Sequence, residues 1–215
     1  DTVFLQYPAD EYFLRDDYVD GFNFYYGLKS KKWKMCYWLD LVSFFNSFLK
    51  PYQELVEVNY FSARPTDAGK HDRQDKLFQA NKCNPKFNLI LGKYLKKEFK
   101  WRYCGGIIHS FEEKESDVRI ATKILSDAYK KRCDIAIIVS ADSDLIPPVE
   151  LIREFNPLQK VYVYFPPNRY SSNLSNLSDG TRKLDGAFNI FKKHILPQKV
   201  QLPNGYVIER PDEWK

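Results

Sequence analysis

Apolar positions along this chain follow two rhythms: short β-branched runs, and longer stretches in which they recur every three or four residues. The clearest run is Ile135-Ala136-Ile137-Ile138-Val139. An unbroken apolar stretch of this kind suits a strand buried on both faces, as in the centre of a parallel sheet. It passes through Ser140-Ala141 into Asp142-Ser143-Asp144, after which residues 145–155 read as a helix. Pro147 and Pro148 fit the first turn of that helix, where backbone N–H groups have no intrahelical partner. Two carboxylates therefore stand at the carboxyl end of a buried strand, the edge where open α/β sheets hold their ligands.

The same reading extends along the chain. Residues 54–61 alternate Leu55, Val56, Val58 and Tyr60 with polar side chains and predict a strand; residues 87–91, 107–111 and 161–165 predict others. Helical spacing through Trp38, Leu41, Val42, Phe45, Phe48 and Leu49 predicts an amphipathic helix over 33–49, closed by Pro51. A charged helix is expected over 72–80, and another over 184–196. Asp117 opens a broad apolar stripe through Ile120, Ala121, Ile124, Leu125 and Ala128 that ends in Lys130-Lys131-Arg132, cations that suit a helix C-terminus. Residues 64–70 and the Ser/Asn-rich 168–180 read as loops, and Asn204-Gly205 signals a terminal hairpin. A short strand ending at Asp20, with Gly21 allowing a tight turn, brings Asp20 and Asn23 to another strand end, although Asp16 and Asp17 make it more polar than a central strand should be. Strands alternating with helices predict a mainly parallel α/β sandwich. Residues 16–196 are expected to form the domain, with 1–15 an N-terminal extension and 197–215 a tail.

Composition narrows the class. The chain has 215 residues, of which 16% are aromatic, enough for a packed core and one domain with appendages. Asp1 in place of a methionine leaves room for a start residue or leader upstream. Lys and Arg number 33 against 28 acids, and the resulting +5 is compatible with a polyanionic partner without requiring one. The Lys-rich stretch 93–102, interleaved with Tyr94, Phe99 and Trp101, reads first as a solvated face and second as a surface for a nucleic-acid backbone. No apolar run is long enough to cross a membrane, so no membrane partner is expected. Cys36, Cys83, Cys104 and Cys133 are widely spaced without a CxxC pair, which argues for free thiols in a reducing cytoplasm and against a zinc site. His71, His109 and His194 are isolated and read as ordinary polar residues.

The chemistry lies in the acids. Asp20, Asp117, Asp142 and Asp144 each fall at a strand end or a helix start, with Asn23 beside the first. Singly, each could be a helix cap. Together they exceed what capping needs, and a parallel sheet would bring all four to one edge as hard oxygen ligands for Mg²⁺ or Mn²⁺.

Three ordered segments carry a resemblance. The stretch Tyr18-Val19-Asp20-Gly21-Phe22-Asn23-Phe24-Tyr25-Tyr26-Gly27 resembles the opening motif of NYN domains, the LabA-like branch of the PIN nuclease superfamily. Glu113 to Ala121 resembles their second motif, and Val139 to Pro147 is similar to their third, with Ala141 where a glycine is common. Pro167-Asn168-Arg169 and the Ser-rich loop after it resemble a further segment. The resemblance implies a three-layer α/β/α PIN-like fold and a metal-dependent endoribonuclease. It implies Asp20, Asp117, Asp142 and Asp144 as catalytic metal ligands, Asn23 and Ser140 as groups orienting ligands or water, and Lys114, Ser140, Ser143 and Arg169 at the substrate. The expected cofactor is Mg²⁺ or Mn²⁺ and the expected partner is RNA, with a homodimer left open. A non-catalytic RNA-binding module is the alternative, and a small-molecule phosphatase or phosphodiesterase ranks behind it.

Overall fold

The computed structural model describes residues 12–100 and 107–215, with side chains for all of these except 94–100 and 107–114. The expected extension at 1–11, and Trp101 to Gly106 with Cys104, lie outside the described residues.

β1 (Phe13–Asp20) occupies the middle of the main sheet. It is followed by α1 (Gly21–Ser30), α2 (Leu41–Asn46), β2 (Gln53–Ser62), α3 (Ala68–Asn81) and β3 (Phe87–Leu91). β4 (Lys93–Lys100) and β5 (Ile107–Lys114) then leave the sheet before α4 (Ser116–Tyr129) returns to it. β6 (Ile135–Val139), α5 (Ile146–Phe155), β7 (Lys160–Phe165), α6 (Ser172–Leu177), β8 (Gly180–Lys183) and α7 (Phe188–Lys193) complete the sandwich. A hairpin of β9 (Lys199–Gln201) and β10 (Val207–Glu209) ends the chain, turning at Gly205, whose φ of +85° suits a residue without Cβ.

Among the described residues the main sheet has six strands in the order β3-β2-β1-β6-β7-β8, and every pairing is parallel. The chain winds outward from β1 to one edge and then from β6 to the other. The crossovers therefore diverge between β1 and β6 and leave a crevice at the carboxyl ends of these two strands. On one face α1, α2 and α7 cover the sheet through Phe24, Phe44, Phe45 and Phe191; on the other, α4, α5 and α6 do so through Ile120, Ile124, Val149, Ile152 and Leu174. This is the expected three-layer α/β/α sandwich. Every side chain of β6 is buried, and each such aliphatic group contributes roughly 2 kcal/mol of transfer free energy.

β1 is central in spite of its charges because each finds a partner out of water. Arg15 and Asp17 point to one face and form a two-bond pair at 2.7 and 2.9 Å, with the guanidinium 5.4 Å from the Tyr164 ring. Asp16 and Tyr18 point to the other face, where Arg132 Nε lies 3.4 Å from Asp16 and the Tyr18 hydroxyl donates to Asp127 at 3.0 Å. The strand begins at Phe13, inside the stretch read as an N-terminal extension.

Other differences have equally local causes. The expected helix over 33–49 is a 3₁₀ turn at Lys34–Tyr37 followed by α2, because Leu39 is extended in a bridge to Ile195 and Asp40 caps α2 by accepting from the Ser43 amide at 2.9 Å. The helix expected over 184–196 divides likewise into a 3₁₀ turn at Leu184–Gly186 and α7. The loop expected over 168–180 contains α6, started by Ser171 accepting from the Leu174 amide, and β8 follows it as an edge strand. The Lys-rich stretch is a strand, β4, paired antiparallel with β5 in a ribbon of its own; the strand expected at 107–111 is therefore not part of the parallel sheet.

Candidate metal centre

Asp20 is the last residue of β1 and the cap of α1, so strand and helix meet without a linker. That junction requires Gly21. A Cβ there would lie 2.4 Å from the Phe61 carbonyl oxygen and 2.7 Å from the Tyr60 ring. The Asn23 amide donates to Asp20 Oδ1 at 2.9 Å, and the Ser140 hydroxyl donates to Oδ2 at 2.9 Å. Both carboxylate oxygens are thus held from two different strand ends.

Ser140 also accepts from the Asp142 amide at 3.1 Å, and Asn23 Oδ1 accepts from the Ala141 amide at 3.3 Å. These bonds tie the turn after β6 to the turn after β1. Asp142 caps the short 3₁₀ turn at Ser143–Leu145, its Oδ1 accepting from the Asp144 amide at 3.0 Å. Asp117 arrives from a third element, in the first turn of α4, where the helix dipole favours a negative charge. The residue before that helix, Glu115, sits at φ +77°, a left-handed conformation that costs a non-glycine residue about 1 kcal/mol or more. Arg119 donates to its carboxylate at 2.7 Å, and Lys93 lies 3.5 Å away.

The outcome is a cluster: one carboxylate oxygen from each of Asp20, Asp117 and Asp142 lies within 4.8 Å of the others. Asp20 is buried, Asp142 half-buried and Asp117 exposed, so the group opens outward from the crevice. Burial pushes the Asp20 carboxyl up to about 6, against the Asn23 and Ser140 donors, with Asp117 and Asp142 adding to the rise. Asp117 is also raised, by partial burial first and then by Asp142 and Asp144. Like charges held this close favour a shared proton or a cation.

The remaining expected site residues divide. Asp144 is exposed and outside the three-carboxylate group, although close enough for its charge to act on Asp117. Its backbone amide donates to the Asp142 carboxylate, which caps the 3₁₀ turn. Ser140 is fully buried, and its hydroxyl is engaged by the Asp20 carboxylate and the Asp142 amide. Ser143 is exposed in the 3₁₀ turn, and Arg169 is exposed just past β7 at the same sheet edge. The Lys114 side chain lies outside the described residues. What sequence reading missed is a cavity of about 340 Å³ beginning at Gly21 and Phe22, lined by aromatic residues of α1 and the 3₁₀ turn before α2 and by polar residues of α3. Its only sequence signal was the Tyr25-Tyr26 pair inside the first motif.

Comparison with known proteins agrees with this architecture. A solved structure of a protein of unknown function from Vibrio parahaemolyticus superposes with a TM-score of 0.54 at 21% identity, covering 84% of this chain and 98% of that one. A curated relative, the 6-hydroxy-3-succinoylpyridine 3-monooxygenase HspA of Pseudomonas putida, is 28% identical, over 63% of this chain and 54% of its own. The chain thus spans about half the length of that relative. The family model of the NYN domain matches residues 18–185, a span that starts two residues before Asp20 and includes Asp117, Asp142 and Asp144. The chain belongs to the NYN domain family, within the PIN-like nuclease superfamily.

Proposed function

We propose that this protein is a metal-dependent ribonuclease that hydrolyses RNA phosphodiester bonds. The observation that carries the reading is the meeting of Asp20, Asp117 and Asp142 within 4.8 Å at the sheet's switch point in an NYN domain. Three carboxylates, with no nitrogen or sulfur donor in the group among the described residues, form a hard oxygen set, which fits Mg²⁺ or Mn²⁺ and not a structural zinc. When bound there, such an ion lowers the pKa of a water and neutralises charge on a leaving oxygen.

The chain's own groups do the rest. Ser140 and Asn23 fix Asp20, and through Ser140 they fix Asp142, so two ligands keep their spacing before a cation arrives. The elevated Asp20 carboxyl holds a proton below about pH 6, where a cation would have to displace it. Asp144, exposed beside Asp117, adds negative charge at the mouth and is suited to orient a water. Arg169 offers a guanidinium fork to a phosphate, Lys114 a point charge and Ser143 a hydroxyl, contacts that position a strand without reading its sequence.

The test is cleavage of end-labelled linear RNA and of circular RNA with Mn²⁺ or Mg²⁺. Wild type is expected to cut both substrates, circular RNA being open only to internal cleavage. Asp142→Asn and Asp117→Asn are each expected to lower the rate by ~100-fold or more. Equal rates in wild type and both variants would sink the assignment. Salt-sensitive RNA binding without turnover by any divalent ion would instead make the chain a non-catalytic RNA-binding module.

One finding favours a second reading. The Pseudomonas putida relative carries the name of a pyridine-ring monooxygenase, and an aromatic-lined cavity opens beside Asp20 in this chain. Hydroxylation of a pyridine acid here would need O₂ and a two-electron donor. Product formation from such a mixture by a chain inert toward RNA would favour that reading over the first.

A further inference from the structure

A cavity begins at Gly21 and Phe22, the residues directly after Asp20 in the chain, and extends between α1 and α3. Its volume of about 340 Å³ lies in the range of small-molecule sites, and it is too large for the few waters that fill packing defects. Three features of its lining are chemically specific.

The first is aromatic. Tyr25 of α1 and Tyr37 of the 3₁₀ turn sit with ring centroids 5.0 Å apart, and Trp214, from the end of the chain, stands edge-on to Tyr37 at 5.9 Å. Tyr25 also meets Tyr26 edge-on at 5.4 Å and keeps 37% of its surface exposed. The second is charge. Lys29, Lys70 and Arg73 line the same cavity. Arg73 pairs with Glu213 at 2.7 Å, and the carboxylate of Asp67 is engaged with the Lys70 amide at 2.8 Å, which leaves the rim with more cation than anion. The third is an unmet acceptor. Gln74 donates from Nε2 to Ser62 Oγ at 3.1 Å and to the Ala63 carbonyl at 3.3 Å, which fixes which end of the amide is oxygen. Its Oε1 is buried without a hydrogen-bond partner. Buried acceptors in that state are uncommon, and a water or the N–H of a ligand in the cavity can meet this one.

A stacking surface, cations at the rim and an acceptor awaiting an N–H describe a planar ring that carries an N–H donor and an anionic group. We infer that this cavity is a nucleotide subsite, which seats the base of the residue next to the phosphate at the metal centre that Asp20, Asp117 and Asp142 would form. In this arrangement the base stacks on Tyr25, its ring or exocyclic N–H donates to Gln74, and Lys70 meets the adjoining phosphate. The inference rests on the ribonuclease reading and deepens it, since it makes the bond cleaved depend on the neighbouring base.

The test separates binding from turnover. Calorimetry without divalent metal measures the affinity of the full chain for AMP, GMP, CMP, UMP and pyridine-3-carboxylate, and labelled RNA gives KM and cleavage-site preference. At least one mononucleotide is expected to bind. Tyr25→Ala and Gln74→Leu are expected to weaken it about tenfold or more, and Lys70→Glu severalfold. The same cavity variants are expected to raise KM and flatten base preference at the cut. Binding that all three variants leave unchanged overturns the inference, as does tighter binding of pyridine-3-carboxylate than of any mononucleotide. RNA cleavage by a chain that binds no mononucleotide overturns it too and leaves the ribonuclease standing. Mononucleotide binding that is lost in Tyr25→Ala, by a chain that cleaves no RNA, keeps the subsite and removes the ribonuclease.

Discussion

Asp16 shows what one buried acid can do to a central strand. Its carboxylate is fully buried, accepts no hydrogen bond, and has Arg132 at 3.4 Å as its nearest cation. Burial pushes its pKa up to about 7; Arg132 and Lys123 oppose the rise, while Asp127 and Glu57 add to it. An acid whose folded pKa lies above its unfolded 3.8 binds its proton more tightly when folded. Its contribution to stability is then largest below about 4 and is lost as pH rises through about 7. The metal-free protein should therefore lose stability between pH 5 and pH 8. Asp16→Asn should remove on the order of 2 kcal/mol of that loss, leaving the part due to Asp20, whose carboxyl rises in the same sense. Urea unfolding at the two pH values measures the difference, and equal slopes in wild type and variant would refute it. Asp20, Asp117 and Asp142 were legible in the sequence because each stands where a strand ends or a helix begins. Asp142 and Asp144, two carboxylates with one residue between them, look equivalent in sequence until the 3₁₀ turn decides which one caps it. The hydrogen bonds of Ser140 to Asp20 and the Asp142 amide depend on two strand ends meeting, which no local pattern displays.

Elements were read most securely where one rhythm ran unopposed. β6 and α4 lie where five consecutive apolar residues and a clean apolar stripe put them. The stretch 33–49 has helical spacing too, yet Trp38 and Leu39 use it in extended backbone, because a bridge to Ile195 is available only after the chain has folded. β1 was weakly legible for the same reason. The Arg15–Asp17 pair lies on one face of the strand, and its benefit depends on helices that exclude water from it. The junction of β1 and α1 offers a sharper test. Gly21→Ala would push a methyl group to 2.4 Å from the Phe61 carbonyl, a backbone atom that cannot swing aside. The expected cost is roughly 1–3 kcal/mol, with α1 displaced at its first turn. That displacement moves the Asn23 amide away from Asp20, so metal affinity should fall by more than the stability loss accounts for. Titration with Mn²⁺ at a temperature where the variant remains folded tests this, and unchanged affinity would show that the junction does not set the ligand geometry.

The whole molecule joins an α/β sandwich to a separate two-stranded ribbon. Among the described residues β4 and β5 pair with each other and not with the six-stranded sheet. Lys93 is the register partner of Lys114, which brings the two ends of the ribbon within one strand spacing. Replacing residues 94–113 with a short Gly-Ser turn should therefore leave the fold intact, with a melting temperature within a few degrees of wild type. The ribbon nevertheless leads straight into Glu115 and Asp117, and its first strand carries Lys96, Lys97 and Lys100 in sequence. If it guides an RNA backbone toward the carboxylates, its loss should weaken RNA binding and flatten the dependence of affinity on salt. Each phosphate contact removed takes away ~0.7 from the logarithmic slope for a single strand. The subsite at Tyr25 and Gln74 sits on the opposite side of the crevice mouth in sequence terms, on α1 and α3, and does not depend on the ribbon. Mononucleotide affinity should consequently survive the deletion while affinity for long RNA falls. A deletion that lowers both equally would mean that the ribbon supports the fold around the site, and one that changes neither would leave the guidance of RNA to Arg169 and the crevice itself.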